Sequence, residues 1–506
     1  MTAPAPATAR PADSYWLTRF MMLRLLGAVY AIAFFVAAKQ IVPLIGSNGL
    51  TPLNLYIAGI RANDSWLYGF IHLPSLFWFA HSDTVLQVTA WVGFALACVV
   101  VAGCANAIMA ALWALYMSFV HLGQIWYGYG WEIQLLETGF LAIFLCPLLD
   151  ARPFPKRQPP VVVIWLFRWL IFRIMVGAAL IKLRGDPAWR DLTALYYHFE
   201  TQPIPGPFSR WFCFLPHSVL RIGVLFNFLA ELIAPWLAFY PRIARHIAGI
   251  IMVLFQVTLI LSGNLSFLNW LTIVPALACF DDSFWSKCLP GLVAERAASA
   301  ADMQKPAILM TVAAWVVAAI VAVLSFFPVL NMISSRQVMN TSFDSLDLVN
   351  TYGAFGTVGR VRYTVVFEGT DASVPDNSAP WRPYLYCAQP VALDTRPVQI
   401  APYQPRLDWQ MWFAAMDTPS DYPWTVNLVW KLLHNDSGAL SLFANNPFPD
   451  KPPQYVRAVL YSYTFAPPGN REHLWWNRKE LGLWLPPLSA ADPRLLDFLK
   501  QAGWMD

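Results

Sequence analysis

The chain has 506 residues, of which 57% are hydrophobic and 13% are charged, against roughly 25% charged in an ordinary soluble domain. Its formal net charge of +4 is too small and too scattered to predict a nucleic-acid partner. The seven cysteines stand singly, and the polar last third holds only Cys387, so it can form neither a disulfide framework nor a CxxC metal site. The composition indicates an integral membrane protein in a lipid bilayer.

Apolar runs predict a polytopic α-helical bundle of about nine spans, because a span needs about 20 mostly apolar residues. The first run is too long for the core of a signal peptide, so we expect residues 1–16 to be a tail before a retained span. The predicted spans are residues 17–38, 84–104, 106–122, 133–149, 161–182, 217–239, 246–261, 265–280 and 307–328.

The distribution of Lys and Arg predicts the orientation of these spans. With the N-terminus inside, the cytoplasmic segments carry more Lys and Arg per residue than the long outer loops 39–83 and 183–216. An odd number of spans then places everything after Phe327 outside. We therefore expect a membrane domain at 17–330 and an extracytoplasmic domain at 331–506.

The outer segment has the pattern of a compact, loop-rich α+β or β-sandwich domain. Residues 358–369 and 455–466 are rich in β-branched and aromatic residues, as strands are. Two helices are predicted between them from apolar residues on one face. These faces comprise Trp409, Trp412, Phe413 and Met416 in the first helix, and Val426, Val429, Trp430 and Leu433 in the second.

The motif QPRLDWQMWFAAM allows two interpretations. In the structural one, Arg406 and Asp408 attach a loop to the start of a helix, with Asp408 capping free N–H groups, while the tryptophans pack in the core. In the functional one, Trp409 or Trp412 forms part of an aromatic surface that binds a client protein.

Charged residues within predicted spans are rare and usually face the bundle interior. A rise of 1.5 Å per residue, taken from the cytoplasmic ends of the spans, predicts which acidic and basic residues lie at the same depth. We interpret acids and bases at the same depth as pairs that neutralise each other and fix helix packing. The expected pairs are Glu137 with Arg173, Glu231 with Arg168, and Glu132 with Lys182.

Lys182 lies at the outer end of the fifth span, in the stretch GAALIKLRGDPAW. A lysine there is often only an interfacial anchor. Alternatively it is a base in a polar site, to which His121, Glu132, His198 and Glu200 could contribute.

Motifs for other chemistry are missing from the sequence. The His198/Glu200 pair lacks a third residue at metal-ligand spacing, so no metal site is predicted. There is no G-x-S-x-G, P-loop or GxGxxG motif, so neither a hydrolase nor a nucleotide cofactor is expected.

Long stretches along nearly the whole chain resemble the lipase maturation factor family. They are FRWLIFRIMVGAALIKLRGDPAWRDLTALYYHFETQPIPGPFSRW, SGNLSFLNWLTI, YGAFG, APYQPRLDWQMWFAAM, NPFPDKPPQYVRAVLYSYTF and WWNRKELG. Animal members of this family are endoplasmic-reticulum membrane proteins that help secreted lipases reach their active dimeric form. The resemblance implies a lumenal C-terminal domain and a secreted client protein, possibly a lipase.

The chain departs from the family pattern at two places. Tyr403 stands where the family usually has histidine, and residues 366–398 differ from the usual polar turn and following strand. The Ala/Pro-rich N-terminus and the lack of an evident retention signal suggest a bacterial inner-membrane protein with a periplasmic C-terminal domain. If the chain is eukaryotic, the endoplasmic-reticulum membrane is expected.

The segment Ile181-Lys182-Leu183 with Trp189 is also similar to part of the vitamin K-dependent γ-glutamyl carboxylase and its bacterial relatives. In that family the matching lysine is regarded as the base that deprotonates the quinol, and a second lysine precedes it where this chain has Ile181. The resemblance implies a cavity between spans for a lipophilic substrate.

Three hypotheses follow. The preferred one is a maturation factor without covalent chemistry, whose outer domain binds an incompletely folded client. The alternative is a membrane enzyme that uses Lys182 as a base on a quinone-like or lipid substrate. The third is a scaffold for a partner membrane protein.

Overall fold

The protein is described by a computed structural model, which covers residues 14–103, 107–145, 152–293, 295 and 305–505. A bundle of apolar helices is followed by a domain built on an antiparallel sheet. In chain order the bundle helices are α1 (Trp16–Ile45), α2 (Asp83–Ala102), α3 (Ile108–Leu122), α4 (Gly130–Ile143), α5 (Val161–Arg184), α6 (His217–Leu237), α7 (Arg242–Ser262), α8 (Leu268–Cys279) and α9 (Ile308–Ile333).

Among the described residues, six of these helices are long and apolar enough to cross a membrane: α1, α2, α5, α6, α7 and α9. The expected count of nine spans is therefore not confirmed. Helices α3 and α4 have 15 and 14 residues, which at 1.5 Å per residue is shorter than a hydrocarbon core of about 30 Å. The predicted spans 84–104, 106–122 and 133–149 extend at one end into residues outside the described ranges.

The longest helix, α1, packs along α2 because each contributes a glycine opposite a large side chain. The Phe34 ring of α1 lies against Gly93 of α2, where an added Cβ would be 2.3 Å from it. Reciprocally, Val100 of α2 lies against Gly27 of α1, where a Cβ would be 2.9 Å away. The missing side chains allow the two helix backbones to approach closely.

The outer domain is an α+β fold rather than a β-sandwich. One four-stranded antiparallel sheet has the order β2-β1-β3-β4. Both predicted strands are confirmed: residues 358–369 overlap β1 and residues 455–466 contain β3, whereas β2 and β4 are not predicted from the sequence. The strands are β1 (Arg362–Thr370), β2 (Arg382–Pro383), β3 (Tyr455–Phe465) and β4 (Trp476–Leu488).

The two predicted helices of this domain are also present, as α10 (Arg406–Ala414) and α11 (Trp424–Leu433). Shorter helices lie in the connections of both parts. They are Leu53–Asn63, Trp66–His72, Leu76–Trp78, Gln124–Tyr127, Pro187–Arg190, Leu195–Thr201, Ser209–Cys213, Asp282–Cys288, Ser437–Leu440 and Pro493–Gln501.

The hydrophobic core is continuous between the bundle and the outer domain. Two pairs of tryptophans carry this contact. The ring of Trp126, just before α4, lies 5.0 Å from that of Trp424 on α11, and the ring of Trp131 on α4 lies 4.8 Å from that of Trp409 on α10. Aromatic pairs at these distances stabilise beyond the apolar area they bury, so the outer domain is packed on the bundle.

The α1/α2 contact gives a testable prediction. Gly93→Val should destabilise the protein by about 1–3 kcal/mol, because the new side chain overlaps Phe34 in a close-packed interface. Gly59→Ala is the matched control, since nothing lies within 4 Å of its new Cβ. The apparent Tm in detergent, measured by fluorescence-detected size-exclusion chromatography after heating, should fall only for Gly93→Val. Equal Tm values for both variants would contradict this close packing.

Candidate functional site

A cavity of about 490 Å³ lies where helices α5 to α8 approach α10 of the outer domain. Most of its lining is apolar, with contributions from Ala178, Phe226, Phe255 and Leu259. Its polar lining residues include Tyr129, Gln134, Lys182, His198, Asn227, Glu231, Gln256, Asn269 and Thr272. The structure places Lys182 in the lining of this cavity, and a chemical role for it stays a prediction.

Lys182 is held in a closed hydrogen-bonded cluster. Its Nζ donates to Asn227 Oδ1 at 2.9 Å and to the two carboxylate oxygens of Glu231 at 2.6 and 2.7 Å. Asn227 Nδ2 also donates to Glu231, at 2.9 Å. Lys182 is 4% exposed, and its Nζ lies 4.9 Å from the centre of the Trp189 ring. The three ammonium hydrogens are thus matched by three protein acceptors, and the side chain does not extend to the interface as an anchor would.

The pairing of Lys182 with Glu231 corrects the depth count, which matched Glu231 with Arg168. The turn after α6 lies beside the first half of α5 rather than level with its first residues. The Phe239 ring lies 5.9 Å from that of Trp165 and 5.6 Å from that of Phe172. The Trp236 ring also contacts Phe172, which is half-way along α5. This offset moves Glu231 up to the level that the Lys182 side chain reaches.

Arg168 has other partners. Its Nε donates to the carbonyl oxygen of Ala278 at 2.9 Å, and its Nη2 donates to the Tyr15 hydroxyl at 3.0 Å. The Asn227/Glu231 pair was identifiable in the sequence as two polar residues four positions apart on one helix face.

Of the four expected neighbours of Lys182, only His198 lines the same cavity. His198 lies on the short helix Leu195–Thr201, and burial, together with the nearby Lys182 charge, lowers its pKa to about 4. Its imidazole is therefore neutral at physiological pH.

The other three expected neighbours are engaged elsewhere. His121 Nε2 lies 3.0 Å from Asp347, and Glu200 accepts a hydrogen bond from the backbone N–H of Phe465 at 2.7 Å. Glu132 contacts Arg406 rather than Lys182. The expected convergence of these groups on Lys182 is therefore wrong, because each is used to join the outer domain or its linker to the bundle.

The expected Glu137/Arg173 pair is present. The two side chains form a buried ion pair, and Arg173 also donates to the carbonyl oxygen of Asn350 at 2.7 Å. Glu137 accepts from the backbone N–H of Asn350 at 3.0 Å and from the Tyr352 hydroxyl at 2.7 Å. The pair therefore holds the chain after α9 against α4 and α5.

Arg406 joins the outer domain to the bundle. Its Nη1 lies 3.0 Å from Glu132 Oε1, and both side chains are fully buried. Arg406 also donates to the carbonyl oxygen of Trp126, while its backbone N–H donates to Gln40 on α1 at 2.9 Å. This buried charge pair links α10 to α4 across the boundary of the two domains.

Asp408 attaches a loop to α10, but it is not the N-cap. That position is Pro405, and Asp408 lies in the first turn. Its carboxylate accepts from the backbone N–H groups of Ala388 and Gln389 at 2.6 and 3.0 Å. Burial raises the pKa of Asp408 to about 7. The loop attachment was thus predicted correctly, whereas the cap was placed on the wrong residue.

The alternative of a client-binding surface on α10 is corrected by burial. Arg406, Asp408 and Trp409 are between 0 and 4% exposed. Trp412 is partly buried and donates from Nε1 to the carbonyl oxygen of Thr201 at 3.1 Å. Of these residues Trp409 and Trp412 line the cavity, and Arg406 bonds to the bundle, while Asp408 holds a loop within the outer domain.

The Arg406/Glu132 pair gives a second prediction. Arg406→Met should cost about 3–5 kcal/mol of stability, because it leaves Glu132 as an unpaired buried charge. The double variant Arg406→Met/Glu132→Met should cost less, since no charge is then stranded. Arg382→Met is the control, because it breaks an ion pair with Asp371 in which both side chains are about half exposed. The apparent Tm of each variant is the measurement. A double variant with an apparent Tm no higher than that of Arg406→Met would contradict the assignment of Arg406 and Glu132 as a buried ion pair.

Comparison with known proteins identifies the family of the chain. A sequence model of the lipase maturation factor transmembrane domain matches residues 17–287, and one of the lipase maturation factor C-terminal domain matches residues 348–486. No solved structure matches the chain.

Several curated relatives align over nearly their full length. Lipase maturation factor 1 of Bos taurus is 45% identical over 97% of this chain and 92% of the relative, and the Homo sapiens protein is 44% identical over 97% and 91%. Lipase maturation factor 2 of Homo sapiens is 29% identical over 96% and 85%. Both halves of the chain, the membrane bundle and the sheet domain, are thus matched together, and the chain belongs to the lipase maturation factor family.

Proposed function

We propose that the chain is an integral-membrane maturation factor that assists the folding and assembly of secreted lipases. The observation that carries this proposal is the identity of 45% over almost the whole of lipase maturation factor 1, through both the bundle and the outer domain. The packing of the outer domain on the bundle agrees with it, because a client bound there would be held at a fixed distance from the membrane.

The alternative of a carboxylase-like enzyme has no support from the comparisons. The two matched family models and the relatives compared above are lipase maturation factors. Lys182, which that alternative needs as a base, has its three ammonium hydrogens donated to Asn227 and Glu231.

We further propose that all nine helices traverse the bilayer and that the outer domain is extracytoplasmic. Contacts on one side of the bundle support this. The indole N–H of Trp16, at the start of α1, donates to the carbonyl oxygen of Pro155 before α5. The Thr18 hydroxyl donates to the carbonyl oxygen of Phe280 after α8. On the opposite side, Asn264 after α7 donates to Val398 of the outer domain. The short helices α3, α4 and α8 run between the same two sides. The bias of Lys and Arg toward the first side makes it cytoplasmic.

This topology predicts the reactivity of two single-cysteine variants in sealed vesicles of known orientation. One retains Cys288, which is exposed and follows α8, and the other carries Val374→Cys in the outer domain. A membrane-impermeant maleimide added from the extracytoplasmic side should label only Val374→Cys, and both variants should react after permeabilisation. Labelling of Cys288 alone before permeabilisation would show that the orientation is the opposite of the proposed one.

We propose that the client contacts the outer domain along β4. This 13-residue strand lies at the edge of the sheet, and residues 477–481 are all exposed. Leu481 and Leu483 expose about half of their surface. An uncovered edge strand presents unpaired backbone groups that an extended segment of another chain can pair with, and its apolar side chains add contact area. Incompletely folded lipases have such segments available.

The client proposal predicts a loss of secreted lipase. With a lipase co-expressed in cells that lack their own maturation factor, the intact chain should raise secreted activity, and Leu481→Glu/Leu483→Glu should reduce that gain by disrupting the apolar contact. Val374→Glu is the control, being 62% exposed but away from β4. Both variants should reach the membrane at normal levels.

Two results would contradict the proposals separately. Full activity of Leu481→Glu/Leu483→Glu would remove β4 as the contact surface. No gain from the intact chain with any secreted lipase would remove the proposed function itself.

A further inference from the structure

We infer that the cavity beside Lys182 binds an uncharged single-chain lipid, with an oxygen-bearing head group at its polar lining and a hydrocarbon chain directed between α6 and α7. This inference concerns a ligand of the membrane bundle, and it does not depend on the proposed client. Three features of the cavity support it: its size and lining, its charge balance, and its position beside the lipid-facing surface.

The size and lining suit a small amphiphile. Small-molecule sites typically have volumes of about 300–1,000 Å³ with apolar walls and a few polar groups, and this cavity has about 490 Å³. Apolar side chains such as Ile174, Met175, Phe226 and Phe255 form much of the wall. A hydrocarbon chain is the ligand that such a wall favours.

The charges of the cavity are balanced, which favours an uncharged ligand. Lys182 and Glu231 neutralise each other at 2.6 Å. His198 is the remaining titratable group of the polar lining near them, and it is neutral at physiological pH. A phosphate or carboxylate brought into this cavity would lose its hydration without gaining an unpaired cation, which is unfavourable.

Most polar side chains of the lining already bond to each other. Asn269 donates to Gln256 at 2.8 Å, and Gln134 donates to Thr272 at 3.0 Å. Such pairs leave little capacity for a ligand with many polar groups. The cavity therefore favours a head group with one or a few oxygens.

Two lining residues retain hydrogen-bonding capacity. The indole N–H of Trp409, a residue that is 4% exposed, has no partner among the described residues. His198 is 6% exposed and lines the cavity, and its ring nitrogens have no hydrogen-bond partner among the described residues. A neutral imidazole supplies one donor and one acceptor, and an indole supplies one donor. Each of these groups can bond a hydroxyl or carbonyl oxygen of an uncharged ester or alcohol head group.

The cavity borders the lipid-facing side of the bundle. The turn at 238–241 joins α6 to α7, and the two helices pack closely next to this turn. The cavity-lining residues Val219 of α6 and Leu259 of α7 lie toward the opposite ends of the two helices. Val219 is 44% exposed, and its neighbour Ile222 on the outer face of α6 is 64% exposed. An apolar chain can therefore reach the cavity from the bilayer without crossing a polar surface.

The test uses the full-length protein in phosphatidylcholine nanodiscs with two photoactivatable probes of equal chain length. One is a monoacylglycerol and the other a fatty acid, each with a diazirine in the chain, and cross-linked peptides are identified by mass spectrometry. The monoacylglycerol should label the cavity-lining parts of α5, α6 and α7 in preference to the lipid-facing helix α2. The fatty acid should label them about tenfold less, which corresponds to about 1.4 kcal/mol.

Variants locate the site. Val219→Trp should reduce cavity labelling by narrowing the entrance, whereas Ile222→Trp on the same helix, which is outside the lining, should not. Thr258→Trp provides an independent obstruction from α7 should Val219→Trp fail to give a monodisperse protein. His198→Phe should diminish the preference for the monoacylglycerol over the fatty acid, while apolar labelling persists.

Two results would overturn the inference. Labelling that is spread evenly over all lipid-facing helices, and that neither Val219→Trp nor Thr258→Trp changes, would mean that no cavity ligand exists. Equal or stronger labelling by the fatty acid would mean that the ligand is not uncharged. Neither result depends on lipase secretion, so each is distinct from a failure of the proposed function.

Discussion

The pairing of charges away from water is the constraint on which this structure depends. Glu132, Glu137 and Glu231 are each buried, and each contacts a basic side chain from a different element. A single buried charge without a partner costs several kcal/mol. Any arrangement of the helices that separated one of these pairs would therefore be unstable, so the pairs select which helix faces meet.

One of these pairs crosses the boundary between the bundle and the outer domain. The contact of Arg406 with Glu132 lies near the edge-to-face pair Trp131 and Trp409, so polar and apolar interactions fix α10 in the same place. The outer domain is consequently part of one continuous core with the bundle. Under the proposed client contact, this geometry would set where a client is presented, because β4 belongs to a domain that is packed on the bundle.

The same charge pairing also determines the character of the cavity. Because Lys182 is neutralised by Glu231, a site that looks basic in the sequence is uncharged overall. The cavity is lined by residues of both the bundle and α10, so a ligand there contacts both parts. A ligand that binds only the assembled form stabilises that form by mass action, so the lipid inferred above would connect the lipid surroundings to the stability of the outer domain.

The sequence by itself determined the membrane class, the presence of a strand-containing outer domain, two of its strands, both of its main helices and the family, whereas the choice of an α+β fold over a β-sandwich came from the structure. These follow from local pattern: long apolar runs, period-2 and period-3.6 alternation, and extended motifs. It also placed Glu137 beside Arg173, because those two residues lie at the same depth on neighbouring helices. Only the tertiary structure decided the partners of Lys182, Arg168 and Glu132. Their positions depend on the offset of the α6–α7 turn along α5 and on a partner, Arg406, that is 274 residues away from Glu132, and neither helix offset nor contact over such a separation is encoded in local periodicity.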